Sequence, residues 1–373
     1  MLACSSHATW LVVQPDVSCA SARMTVPKDG EGIMQHGRWW HRLALRGWRA
    51  QREEHRAGVP STFDFSSSTA DFYRRDDTSH VGKYRRIRAR LDGTYHGTYS
   101  HERQALQDEL LDTLLAGVDG GNRAPWVIFS AGAMGAGKSR TFEFLVQNQI
   151  IPRTGVQILD SDVFKAALPE WPGYVERDPL TAGFHTRRES GYLLEIAQEA
   201  ALQRRRHVWV DGSLRDGDWY EAEFKRIQQA HPDYKIAIVH VVASRAAVQQ
   251  RVQSRAAVTG RHVPEHEVDD SILRVPKSVR RLAPFLDFLA VIDNSAEVPH
   301  LVEYCDEQGC NLCLDDWVQL SERWGLTDKV GVVASVDECE LAPGGEGEWE
   351  EVSKNFELAR RTSQSGAAED EWG

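Results

Sequence analysis

Five short apolar runs constrain this chain most strongly: "WVIFS" from Trp126, "VQILD" (156–160), "HVWVD" (207–211), "KIAIVHVVA" (235–243) and "FLAVID" (288–293). Each reads as a strand covered on both faces, because a half-exposed strand would alternate apolar with polar residues. Helical stretches lie between them, at about 138–149, 185–206, 217–231, 244–257 and 276–287. Strands alternating with helices of this length specify parallel βαβ units. The expected fold is therefore α/β, a mostly parallel, doubly wound sheet with helices on both faces, three layers in all.

The turn after the first run names a ligand class. Gly132, Gly137, Lys138 and Ser139 satisfy the P-loop pattern G-x-x-x-x-G-K-[ST], and they sit where the pattern has physical meaning, between a buried strand and a helix. Small residues let successive backbone N–H groups turn inward around a phosphate, and the helix N-terminus adds unpaired donors. The expected nucleotide-binding segment is Gly132, Ala133, Met134, Gly135, Ala136, Gly137, Lys138, Ser139 and Arg140. Lys138 can reach the β- and γ-phosphates, and the Ser139 hydroxyl can ligate Mg²⁺. The ligand implied is ATP or GTP with Mg²⁺.

Two strands end in acid. "VQILDSD" places Asp160 and Asp162 at the carboxyl edge of its strand, and "VWVDGSLRD" does the same for Asp211. Ligands of open α/β sheets bind at that edge. An apolar strand ending in Asp is the arrangement that holds Mg²⁺, so Asp160 and Asp211 are the candidate metal ligands beside Ser139. Asp162 is either a base for an acceptor hydroxyl or the cap of a helix in "VFKAAL". Further on, Arg251, Arg255 and Arg261 surround a Thr-Gly turn. Guanidinium groups there can offset charge on a transferring phosphoryl group. Arg261, in a Gly-flanked loop, is the stronger candidate, whereas Arg251 reads as part of a solvated helix face.

In the order "GAMGAGKS", "LDSDVFKAALPEW", "HTRRESGYLLEIAQEAAL", "VWVDGSLRD" and "RAAVTGRHVP", the stretch from about Trp126 to Asn294 resembles the zeta-toxin family of P-loop kinases, and within it the kinase-like relatives found outside toxin–antitoxin systems. The resemblance implies an ATP-dependent phosphotransferase, with the 3′-hydroxyl of UDP-N-acetylglucosamine as the best-studied acceptor. By position it makes Asp162 the base, Lys138 and Ser139 the phosphate and magnesium residues, and Asp211 and Arg215 acceptor-side residues. Arg261 and Arg255 become the arginines on the triphosphate. Either Glu189 or Glu195 corresponds to the family's helical glutamate.

The rest of the chain is read as flanks. Residues 1–79 are expected to be poorly ordered apart from a basic, Trp-bearing helix ("GRWWHRLALRGWRAQREEHR"), with "STFDFSSSTADF" as a Ser/Thr-rich linker. Residues 80–122 should form a helical extension packed on the core, with Leu106, Leu110, Leu111 and Leu114 as its apolar stripe. The kinase domain is expected over 123–296, an appendage over 297–336, and an acidic, disordered tail over 337–373. That tail sets eleven acids against Lys354, Arg360 and Arg361, so it holds most of the net charge of -11. The charge argues against nucleic acid as a partner. A small-molecule acceptor, such as a nucleotide sugar, and a protein partner at the tail or the Arg/Trp helix are the partners implied. The alternatives are a nucleotide-regulated binding module without turnover and a polynucleotide-end kinase.

No apolar run reaches the roughly 20 residues of a membrane helix, and "MLACSSHATWLVVQPDV" lacks the features of a secretory signal. A cytoplasmic location and reduced thiols are expected for the six cysteines. Cys305, Cys310 and Cys313, with Cys339 or His300, have a spacing open to metal binding, against a bland reading as buried or free thiols. Trp317 and Trp324 fall in a helix and read as core, and "YHGTY" (95–99) as a packed aromatic turn.

Overall fold

All five apolar runs become strands: β1 (Trp126–Ala131), β2 (Val156–Asp160), β3 (His207–Asp211), β4 (Lys235–Val242) and β5 (Phe288–Asp293). The computed structural model describes residues 59–76, 79–152, 155–259, 263–312 and 317–324. The Arg/Trp helix, the acidic tail, Arg261, the Arg255 side chain, Cys313 and Cys339 lie outside what is described. Two further strands, β6 (His300–Asp306) and β7 (Gly309–Leu312), complete one sheet in the order β2-β3-β1-β4-β5-β6-β7. The first five strands are parallel, and β6 and β7 add an antiparallel edge. The fold is the expected α/β type, a mostly parallel sheet with flanking helices.

Strand alternation sorts the core into two clusters. Val127, Phe129, Val208, Val210, Ile236 and Ile238 point to one face, and Ile128, Trp209, Ala237 and Val239 to the other. Both sets are buried, which is why the strand sequences show no polar alternation.

The segment before the sheet contains α1 (Thr69–Tyr73), α2 (Arg85–Arg88), α3 (Gly93–His96) and α4 (His101–Leu114). Composition marks "STFDFSSSTADF" as a linker, but the structure packs it. Ser68 caps α1, and Phe63 lies 5.8 Å from Tyr73 and 6.0 Å from Tyr174, ring centre to ring centre. The aromatic side chains decide the outcome, since each buries far more apolar area than the serines expose. In "YHGTY" His96 and Tyr99 are buried as expected of a packed turn, whereas Tyr95 is exposed.

The buried face of α4 differs from its leucine stripe. Leu110 and Leu111 are buried, but so are Arg103, Gln104 and Gln107. Arg103 donates from Nε to Glu189 at 2.7 Å and from Nη1 to Glu170 at 2.9 Å, with its guanidinium 4.0 Å over the Tyr73 ring. Tyr73 and Gln107 donate in turn to Glu170 and Glu189. Burial works against the charged form of Glu189, yet Arg103 and Gln107 hold its carboxyl below the usual glutamate range.

The remaining helices are α5 (Lys138–Gln147), α6 (Ser161–Ala167), α7 (Trp171–Arg177), α8 (Ala182–Gln203), α9 (Gly217–Ala230), α10 (Arg245–Thr259), α11 (Glu265–Leu282) and α12 (Trp317–Trp324). The stretch expected to be helical from Pro276 instead begins at Glu265 and carries Pro276 inside α11. Val268, Ser271, Val275, Val279 and Leu282 continue one buried face across the proline. That burial outweighs the backbone bond a proline removes. Trp317 and Trp324 are core residues, as their helical placement suggested.

The hairpin corrects the thiol expectation: Cys305 and Cys310 form a disulfide. They face each other in the β6–β7 register with Cα atoms 4.0 Å apart, a proximity invisible in the linear spacing. The bond uses both sulfurs that a metal at this hairpin would need.

Two outcomes follow for stability. Arg103→Met leaves Glu170 and Glu189 buried without their cation and should cost about 3–5 kcal/mol, read from the urea midpoint. Glu199 has a second signature. Burial would raise its pKa, but hydrogen bonds from His231, Arg226 and Gln203 outweigh that and bring it down to about 2. Its folded value lies below the unfolded value of about 4.3, so its contribution is complete above that pH and fades as pH falls toward 2. Glu199→Gln should flatten the loss of stability across that window in acid titrations.

Candidate functional site

Between the end of β1 and the start of α5, the chain turns through Gly132–Gly137. Gly137 has φ of +91°, and a Cβ there would stand 2.1 Å from Asn294 Nδ2. Gly132, at φ +154°, would place a Cβ 2.5 Å from the Val241 carbonyl. Neither position accepts a side chain without displacing a neighbour, so both stay glycine. Lys138 folds back over the loop, donating from Nζ to the Gly132 carbonyl at 2.8 Å and to that of Ala133 at 3.3 Å. Met134 N–H donates to Ser271 Oγ at 3.3 Å, which ties the loop to α11.

Beneath the loop, His240 of β4 pairs in register with Ala131. Burial first, and Lys138 second, push its pKa down to about 3. This histidine is neutral near pH 7, which leaves Lys138 as the cation at this point of the loop.

The acids converge beside the loop. Asp160 and Asp211 are register partners at the ends of β2 and β3. Ser130 of β1 donates to Asp211 Oδ1 at 2.8 Å and accepts from Gly212 N–H at 3.1 Å. Gly132 N–H reaches the Ser213 carbonyl at 3.3 Å, so the β3 turn and the P-loop brace each other. Asp160 is the helix cap: its Oδ1 accepts from Asp162 N–H at 2.8 Å. Asp162 stands one turn position further on and pairs with Lys165 at 2.9 Å, its side chain 30% exposed. The capping alternative therefore belongs to Asp160, and Asp162 is a part-exposed carboxylate paired with Lys165 just beyond the carboxyl end of β2.

Leu214 follows in the left-handed region, φ 54°, although it is not glycine and is fully buried. Such a conformation costs on the order of 1 kcal/mol or more and survives where surrounding packing enforces it. It shapes the turn that carries Arg215, which lies 3.9 Å from Asp270.

The two candidate glutamates of α8 separate clearly. Both oxygens of Glu189 are held by Arg103, in the buried cluster that joins α4 to the core. Glu195 accepts from or pairs with His96 Nε2 at 3.2 Å and keeps 25% of its side chain exposed. Glu195 and Asp211 both act electrostatically on Tyr220, whose hydroxyl abuts Gly212.

Sequence reasoning missed one group. Arg251, read as a surface residue, instead lies against the loop, donating to the Ala136 carbonyl at 3.2 Å and the Asn294 carbonyl at 2.6 Å. Helical phase alone cannot show that α10 crosses over the P-loop. Asn294 directly follows β5 and donates to Ala136 O at 2.8 Å. Its linear signal was weak, a polar residue following the Asp293 that closes β5. Arg140 reaches the Glu297 carbonyl on the same side.

The family model for zeta toxin matches residues 111–299, about half of the chain, including the P-loop, Asp160, Asp162, Asp211 and Asn294. No curated protein matches the chain. Among solved structures, a chain from the PezAT chromosomal toxin–antitoxin system of Streptococcus pneumoniae is 14% identical, with 71% of this chain and 97% of that chain covered at a TM-score of 0.45. A chain from the AvrRxo1-ORF1:-ORF2 complex is likewise 14% identical, covering 80% of this chain and 94% of that chain at a TM-score of 0.41. With the P-loop, the acid-tipped strands and all five parallel strands inside the matched span, the chain belongs to the zeta toxin family and has the fold of a P-loop kinase.

Proposed function

We propose that this protein transfers the γ-phosphoryl group of a nucleoside triphosphate, ATP or GTP, to a hydroxyl of a small molecule, with a nucleotide sugar such as UDP-N-acetylglucosamine as the acceptor class. The observation that carries this reading is the P-loop lying beside the register pair Asp160 and Asp211, with the Asp162 carboxylate at the same sheet edge. A protein that only retained nucleotide would need the loop but not the part-exposed carboxylate.

In this mechanism the main chain of Gly132–Ser139 and the Lys138 ammonium bind the phosphates, and Arg140 flanks them. The bare loop and the carbonyl-held ammonium fit a polyphosphate. Ser139 with Asp211 or Asp160 would hold Mg²⁺, which supplies charge neutralisation on the β- and γ-oxygens when bound. Asp162 accepts the proton of the acceptor hydroxyl. The hydroxyl oxygen then bonds to the γ-phosphorus, and the bond from that phosphorus to the β–γ bridging oxygen breaks, releasing the nucleoside diphosphate. Arg255 and Arg261 offset charge on the transferring group. Asp211, Arg215 and Glu195 face the acceptor, and Glu189 serves that face from behind through the buried cluster. Residues 80–122 act as a helical extension of the 123–296 kinase domain.

Asp162→Asn should lower kcat by about 10²–10⁴ while nucleotide affinity stays near wild type, because the helix cap at Asp160 accepts from the backbone of residue 162 and survives the change. Single-turnover transfer and equilibrium nucleotide binding read the two effects separately. Incubating the protein with γ-labelled ATP and a metabolite extract tests the reaction class. A labelled small molecule is the expected product, and tight retention of ATP without any labelled product would favour a nucleotide-regulated binding module instead.

A further inference from the structure

The peptide unit between Ala136 and Gly137 is held from outside the loop by two elements that follow other strands. Asn294 Nδ2 donates to the Ala136 carbonyl at 2.8 Å, and Arg251 Nη1 donates to the same oxygen at 3.2 Å. Both lone pairs of that carbonyl are thereby engaged. Asn294 is itself anchored: its N–H donates to the Val242 carbonyl at 2.8 Å, and its carbonyl accepts from Arg251 Nη2 at 2.6 Å. Its side chain fills the space a Cβ of residue 137 would need.

Asn294 is fully buried, and its Oδ1 has no hydrogen-bond partner. An orphaned buried acceptor costs about 1–3 kcal/mol. An apolar residue of similar size would avoid that cost, so stability alone gives no reason for an amide here. Its Nδ2 does give one. The 136–137 peptide is trans and planar, so its N–H points opposite to its carbonyl. Fixing the Ala136 carbonyl toward Asn294 and Arg251 aims the Gly137 N–H the other way, toward the hollow of the loop.

We propose that Asn294 is a positioning residue for nucleotide binding: through the Ala136 carbonyl, and with Arg251, it sets the direction of the Gly137 N–H toward the phosphates. This inference rests on the phosphotransferase reading. It gives a role to the polar residue that follows Asp293 at the end of β5. Without the brace, the Gly137 peptide can rotate, since glycine tolerates the flipped conformation at little cost.

The test is calorimetric titration of the full chain with Mg-ATP, for the wild type, Asn294→Ala and Asn294→Ser. Both variants lose the donor that reaches Ala136, and both also remove the orphaned oxygen. The expected result is about a tenfold weaker Kd at unchanged stoichiometry. A merely structural role would lower the fraction of binding-competent molecules and leave the Kd of the remainder unaltered. Unchanged Kd in the folded variant, with wild-type binding intact, overturns the inference alone. If Asn294→Ala does not fold, the Kd of Asn294→Ser decides in the same way. Should the wild type bind neither Mg-ATP nor Mg-GTP, the phosphotransferase reading falls first and this inference with it.

Discussion

β1 runs parallel between β3 and β4, and the geometry of the site follows from that central position. A parallel sheet brings all its strands' carboxyl ends to one edge, so the turn leaving β1 must emerge among the turns leaving its neighbours. On one side stand β3 and β2, ending in Asp211 and Asp160, and on the other β4 and β5, ending in Val242 and Asp293 with Asn294 next in the chain. The P-loop is consequently held between acids and a polar brace. Ser130 links it to the first group through Asp211, and Asn294 to the second through Ala136.

The core that supports this edge is apolar on both faces of the sheet, but its outer layer is not. Arg103, Glu170, Glu189, Gln107 and Tyr73 form a closed set of hydrogen bonds inside the protein. A buried charge is tolerable only when each polar atom is met, and here one guanidinium meets two carboxylates. Four separate segments contribute, α1, α4, the turn into α7 and α8, so the extension before the P-loop domain is joined to α8 by specific contacts rather than by apolar packing alone. Glu189 and Glu195 stand six residues apart on α8 and take different partners, Arg103 and His96.

Much of this could be read in the linear chain, for physical reasons that differ by feature. Strands buried on both faces must be continuously apolar, so all five parallel strands were visible with their ends, and the acids closing β2 and β3 stood out against them. Backbone that wraps phosphate must lack side chains, so Gly132 and Gly137 marked the loop. Other features were hidden because composition misleads when a few residues dominate the energetics. Phe63 and Tyr73 pack a stretch whose serines suggest a linker, and Pro276 suggests a helix start where burial carries α11 straight through.

What the sequence determined by itself is local: which segments alternate, which turn can cradle a phosphate, and which strands end in acid. Each depends on neighbours within a few residues, through period, bare backbone or strand length. Tertiary structure alone decided which of the two α8 glutamates is consumed by Arg103, that Arg251 and Asn294 meet on one carbonyl, and that Cys305 faces Cys310. Those outcomes depend on register and on helix crossings, which bring together residues as far apart as Ala136 and Asn294, and no pattern along the chain encodes that distance directly.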